Sequence, residues 1–143
     1  MNNRRNRPRD DGFSLLELLV VLAIMGLLAA IVAPQVIRYL GSSRSQTSKV
    51  QIQNTAAALE LYRLDVGRYP TGEEGLKALV TAPSSATGWN GPYLQQATAL
   101  NDPWGKPYLY RVPGRDGREI DVYTLGSDGA EGGSGEAKDV GNW

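Results

Sequence analysis

The chain of 143 residues carries 15 basic and 15 acidic side chains, with no cysteine and no histidine. Without cysteine there is no disulfide and no thiolate metal site; without histidine the Ser-His-Asp and Cys-His arrangements and the common zinc sites are excluded. A chain of this length holds one small domain once any membrane segment is set aside.

The N-terminus is basic: Arg4, Arg5, Arg7 and Arg9 precede Gly12. From Phe13 to Ala33 every residue is apolar or small except Glu17. A run of about twenty apolar residues is long enough to cross a bilayer. The arginines before it predict a cytoplasmic N-terminus, with the remainder of the chain across the membrane. A carboxylate at the centre of such a segment costs roughly 2.5–3.5 kcal/mol, and less near its start. Glu17 therefore calls for a partner. A cleaved secretory signal fits poorly, because the run is long and Pro34 follows its small-residue end. A plain signal anchor satisfies the segment equally well, whereas a buried helix of a soluble domain is too short for this run.

Helical spacing resumes beyond Pro34. Residues 34–66 read as an amphipathic continuation, kinked or locally melted near Pro34 and Gly41 and ending near Asp65. Ile52, Ala56 and Leu59 form its apolar stripe, and Gln46, Lys49, Gln53, Glu60 and Arg63 its wet side. Gly67 to Pro70 breaks the helix. Thr71 with Glu74 three residues on forms a capping box, so a short helix is expected from Glu73 to about Val80. Residues 84–106 are loop-like, yet Trp89, Tyr93, Leu94, Leu100 and Trp104 require that loop to pack on a core.

Two strand-like runs follow, Tyr108–Val112 and Glu119–Leu125, with turn chemistry between them. The second alternates polar and apolar residues, as a half-buried strand does. A β-hairpin packed on the amphipathic helix is expected. The tail from Gly126 to Trp143 holds six glycines and five charged residues, a composition that by itself reads as disorder. Its terminal Val140 and Trp143, with flanking acids, point instead to an ordered, ligand-tied loop.

The junction at Gly12, Phe13 and Glu17 resembles the processing site of type IV pilin-like precursors. That resemblance implies a prepilin peptidase cutting after Gly12 and N-methylation of Phe13. Removal of residues 1–12 leaves eleven basic and thirteen acidic residues, a net charge of −2, which argues against a nucleic-acid partner. From Tyr69 onward the chain resembles the major pseudopilin of bacterial type II secretion systems. The matching stretches are Tyr69-Pro70-Thr71, Glu74 to Leu79, Asp102 to Tyr108, Tyr123 to Gly129 and Asp139 to Trp143.

The family implies an α+β, pilin-like fold: a long N-terminal helix, transmembrane in its first half, on a small antiparallel sheet with an ordered C-terminal loop. Four regions follow: leader 1–12, transmembrane and assembly helix 13–33, amphipathic continuation 34–66 and globular part 67–143. The family also implies self-assembly into a periplasmic filament that helps to export folded proteins across the outer membrane. The subunit would be single-pass in the inner membrane, with minor pseudopilins and an inner-membrane assembly platform as partners. In assembly, Glu17 would pair with the α-amino group of Phe13 on a neighbouring copy.

The family's C-terminal loop binds calcium. Asp128 matches a ligand aspartate, Leu125 a carbonyl ligand and Asp139 the aspartate before the terminal Gly-Asn-Trp. Lys138 stands where some members carry a second acid, and Glu136 is available to supply the missing oxygen. On composition alone these acids only solvate a glycine-rich tail. Other readings of the whole chain are a monomeric membrane-anchored binding module, a type IV pilin or a minor pseudopilin. An anchored enzyme would have to use carboxylate pairs such as Asp116 with Glu119 or Asp121 with Asp128; nothing in their spacing marks a cleft.

Overall fold

A computed structural model describes residues 13–143; Gly12 and the basic leader lie outside the described residues. Helix α1 spans Leu15–Val66. Ser14 starts it: its Oγ accepts the amide hydrogen of Glu17 at 3.1 Å, an N-cap bond that satisfies one of the orphan donors of the first turn. The helix runs unbroken through Pro34 and Gly41, where the sequence predicts kinking or local melting. A proline costs about 3 kcal/mol in a helix interior, but propagation is cooperative, and the turns on both sides hold the segment helical.

The chain divides into two compact units, one ending at Ile37 and the other running Arg38–Trp143. In the first, Leu15, Leu16, Leu19, Leu22, Ile24, Leu28 and Ile31 are all exposed around the helix. Among the described residues this is the one helix long and apolar enough to cross a membrane. In the second unit α1 becomes one-sided. Ser48, Ile52, Thr55, Leu59 and Tyr62 are buried at alternating intervals of four and three, the period of one helix face. Ile52 and Leu59 belong to the predicted stripe; Ala56 is only half-buried. The face turns toward Thr55 and Tyr62, whose polar tips hide them from a count of apolar residues.

The capping box forms in both directions: the Thr71 amide donates to Glu74 Oε2 at 2.7 Å, and the Glu74 amide donates to Thr71 Oγ1 at 3.2 Å. The helix that follows is a 3₁₀ helix over Gly75–Leu79, shorter than the α-helix expected from Glu73. Gly75 sits at φ +57°, in the left-handed region, so α geometry cannot pass through it. The loop beyond folds onto the core as expected. Trp89 Nε1 donates to the Ala78 carbonyl at 2.8 Å, and Tyr93 meets Tyr62 and Trp89 edge-on at 5.7 and 5.6 Å between ring centroids.

Strand β1 (Leu109–Arg111) pairs antiparallel with β2 (Asp121–Thr124), Tyr110 opposite Val122. This is the predicted hairpin, trimmed at both ends. A third strand, β3 (Val140–Gly141), pairs with the other edge of β2, giving the order β1-β2-β3. β2 is therefore central and buried at all four positions, in place of the alternation read from its sequence. The core joins Ile52, Leu59 and Tyr62 of α1 to Leu76, Leu79, Tyr108, Ile120 and Val122. Each such side chain contributes about 1.5–3 kcal/mol through burial.

Arg68 clamps the start of the globular part. Its guanidinium meets both oxygens of Glu74, at 2.7 and 2.8 Å. Those bonds hold the Glu74 carboxyl well below its ordinary 4.5, against the opposing effect of burial. A lowered folded value means that the contribution to stability is full above the ordinary value and is lost as pH falls through the folded one. Glu74→Gln should therefore flatten the acid limb of the melting curve below about pH 5. Gln keeps the capping acceptor, so at neutral pH the variant loses only the charge paired with Arg68; about 1 kcal/mol is at stake, and Tm should fall by about 4–8 °C per kcal/mol. Thermal melts from pH 3 to pH 7 check both.

Candidate functional site

Two regions hold the residues picked out by sequence: the start of α1 and the C-terminal loop. Phe13 is exposed at 84%, and Glu17 is exposed in the first helical turn. An acid there faces the positive end of the helix dipole, and Ser14 completes the local cap. This local role for the Ser14–Glu17 spacing is legible as an S-x-x-E pattern but was not among the sequence expectations.

Further along α1, Val50 and Leu61 are about half exposed and Leu64 is 74% exposed. With exposed Ala57 they recur at helical spacing, away from the face that grips the core. The second half of the helix is thus apolar on two sides, one covered by its own domain and one not.

The tail from Gly126 to Trp143 is ordered by the sheet. Asn142 extends the ladder with both its backbone and its side chain. Its amide donates to the Val122 carbonyl at 3.2 Å, its Oδ1 accepts from the Val122 amide at 3.0 Å, and its Nδ2 donates to the Ile120 carbonyl at 3.2 Å. Trp143 packs on Tyr123 at 5.8 Å between ring centroids, and the Arg118 guanidinium lies over the Trp143 ring at 5.3 Å. Buried Asp121 is tied by Arg118 Nε at 2.7 Å and the Arg115 amide at 2.8 Å. Burial pushes its carboxyl up, but these donors outweigh it and the net shift is downward. Asp116 lies 3.6 Å from Arg118, and Asp121 is fully taken up in this cluster.

Leu125 follows β2 directly. Asp128 is exposed, and its Oδ1 accepts from the Ala130 amide at 3.1 Å. Asp139 Oδ2 accepts from the Gly132 amide at 3.0 Å, while its Oδ1 is buried with no hydrogen-bond partner. A buried, unsatisfied carboxylate oxygen in a glycine-rich loop is the kind of group a hard cation completes. No three carboxylates converge among the described residues, so any ion held here would draw on carbonyls as well. Glu136 is engaged elsewhere. Its Oε2 accepts from Trp104 Nε1 at 3.1 Å and lies 3.6 Å from Arg44, and its side chain covers Gly41 so closely that a Cβ there would overlap it. Lys138 is exposed. Asp102 and Lys106, which help to organise this loop, are read in the sequence only as part of a resemblance, whereas Trp104 is read as a residue that packs its own loop on the core.

Residues 35–143 match the family described as "Type II secretion system (T2SS), protein G", and residues 7–33 match the "Prokaryotic N-terminal methylation motif". The chain belongs to the type II secretion system protein G family. It is 43% identical to the type II secretion system core protein G of Pseudomonas aeruginosa over 141 residues, covering 96% of this chain and 97% of that protein. It is 42% identical to the core protein G of Vibrio cholerae, covering 94% and 92%. The fold matches the crystal structure of the major pseudopilin from the type 2 secretion system of enterohaemorrhagic Escherichia coli. That match has a TM-score of 0.60 at 32% identity, over 71% of this chain and 88% of the other. The expected family and the α+β pilin-like architecture are borne out, and the anchored binding module is not favoured.

The Glu136 contact with α1 gives a prediction of its own. Gly41→Val should displace the Glu136 side chain and strand the Trp104 Nε1–H, at a cost of about 1–2 kcal/mol. Glu136→Ala should cost about the same, and the double variant should be no worse than either single one. Chemical denaturation of the three variants checks this.

Proposed function

We infer that this chain is the structural subunit of a type II secretion pseudopilus, built into a filament through α1. The observation that carries this reading is the division of α1. Its first part is apolar on every side, and its second part keeps the stripe Val50, Ala57, Leu61 and Leu64 outside its own domain. Such a helix is suited first to lipid and then to the helices of neighbouring copies. The subunit is anchored in the inner membrane by α1, with its N-terminus cytoplasmic and residues beyond the span periplasmic. A prepilin peptidase cuts after Gly12, and Phe13 becomes the methylated N-terminus. Minor pseudopilins and the inner-membrane assembly platform are its partners.

The Phe13 amino group then lies one helical turn before Glu17. In a low-dielectric bundle each charge offsets the burial of the other across a pair of subunits. Glu17→Ala should abolish filaments while leaving the globular part folded. Filaments sheared from an overexpressing strain are the measurement, and the mass of the subunits in them reports whether they begin at Phe13. Normal filaments from the variant would remove the pairing.

We further propose that the C-terminal loop holds calcium through the Leu125 carbonyl, Asp128 and Asp139. The orphaned Asp139 Oδ1 supports this. Glu136, already bound by Trp104, contributes by tying the loop to α1. A ligand that binds only the folded chain stabilises it by about 2.7 kcal/mol at a hundredfold excess over Kd. Calcium should raise Tm accordingly, and magnesium less, since it demands a tight octahedron. Asp139→Ala should erase most of the effect. Melts of the full chain in detergent with calcium, magnesium or chelator check it, and no change with chelator would dismiss the ion.

A further inference from the structure

The C-terminal loop already contains a cation supplied by the chain. Lys106 Nζ donates to the Ser127 carbonyl at 3.0 Å and reaches the Gly126 carbonyl at 3.5 Å. It also sits against Gly129: a Cβ there would come within 2.7 Å of the ammonium nitrogen. The ammonium therefore occupies the inside of the turn that carries Asp128. Its stem is held in place independently. The Lys106 and Trp104 amides both donate to Oδ1 of Asp102, at 2.8 and 3.0 Å, and the Lys106 carbonyl accepts from the Asp102 amide at 2.7 Å. Asp102 is buried, and its Oδ2 accepts from the Thr124 hydroxyl at 2.5 Å. Thr124 Oγ1 in turn accepts from the Gly126 amide at 3.2 Å. One closed set of bonds thus links the turn at 102–106, the end of β2 and the start of the loop.

The Gly126 carbonyl is part-buried and the Ser127 carbonyl lies at the surface; two neighbouring carbonyl oxygens held toward one point repel each other, and a shared donor relieves that. A charged donor meets that need with bonds about twice as strong as neutral ones. We propose that Lys106 is the positioning residue of the C-terminal loop. Its ammonium acts as a tethered cation that holds the Gly126 and Ser127 carbonyls, and so keeps Asp128 and Asp139 set for a divalent ion. The second half of this statement rests on the calcium reading above; the first does not. A loop ordered in advance binds more tightly, because the ion does not have to offset the entropy of ordering it.

The test is amide hydrogen exchange and calcium titration of the full chain in detergent micelles, comparing wild type, Lys106→Met and Lys106→Arg. In chelator, Lys106→Met should lose protection across residues 126–139 while α1 keeps its own, and Lys106→Arg should retain most of it. Half-saturating calcium should rise about tenfold in Lys106→Met, the weight of one charge-assisted hydrogen bond, and stay near wild type in Lys106→Arg. Unchanged protection of 126–139 in Lys106→Met under chelator would overturn the role of Lys106. So would equal calcium affinity in Lys106→Met and a responsive wild type. A wild type that ignores calcium would remove the ion and leave the exchange measurement to decide the lysine's hold on the loop.

Discussion

α1 has to satisfy two environments with one continuous backbone. All backbone groups of a helix are paired within the segment, which is what makes it viable in lipid. The same helix must then offer a face to a small domain that has few elements of its own. Ser48, Ile52, Thr55, Leu59 and Tyr62 supply that face. Without them the 3₁₀ helix at Gly75–Leu79 and a sheet of three very short strands would have no apolar layer to cover, and so small a sheet does not stand alone in water. The loop of aromatic residues also depends on the helix, since Tyr93 packs on Tyr62 and donates its hydroxyl to Asp65 at 2.9 Å.

The second constraint is the absence of cysteine. A glycine-rich tail of this kind loses much entropy on ordering, and no covalent tie offsets that cost. The chain distributes the work over several polar bonds. Asn142 reproduces a strand pairing with its side chain, Glu136 reaches α1 beside Gly41 and accepts from Trp104, and Lys106 takes the loop carbonyls from within. Trp143 then caps the assembly on Tyr123. These contacts come from three separate parts of the chain, so the loop reports on the integrity of the whole domain.

The acidic residues separate by environment. Asp121 and Asp102 are buried and fully engaged, and serve the fold. Glu74 belongs to a cap and an ion pair. Asp139 alone among the acids of the described residues has a buried oxygen without a donor. That contrast, and not the number of acids in the tail, is what supports the proposal of a cation in the loop.

Much of this was legible in the residues. The basic flank and the apolar run with its single acid mark a helix long and apolar enough to cross a membrane, because that property depends on length and hydropathy alone. The Thr71–Glu74 box and the hairpin turn are local chemistry, set by a few neighbouring residues. What the sequence could not settle were partnerships between distant segments. Val140–Gly141 becomes a strand only because β2 offers it an edge, which in turn buries all four residues of β2 and cancels the alternation in its own sequence. Glu136 reads in the sequence as an acid available to a calcium ion and is held by Trp104, 32 positions away; Lys106 stands out there only as part of a matching stretch and donates to Ser127, 21 positions away. Spacing along the chain reports the period of one element, whereas the partner of a long polar side chain is chosen by where packing places the next one.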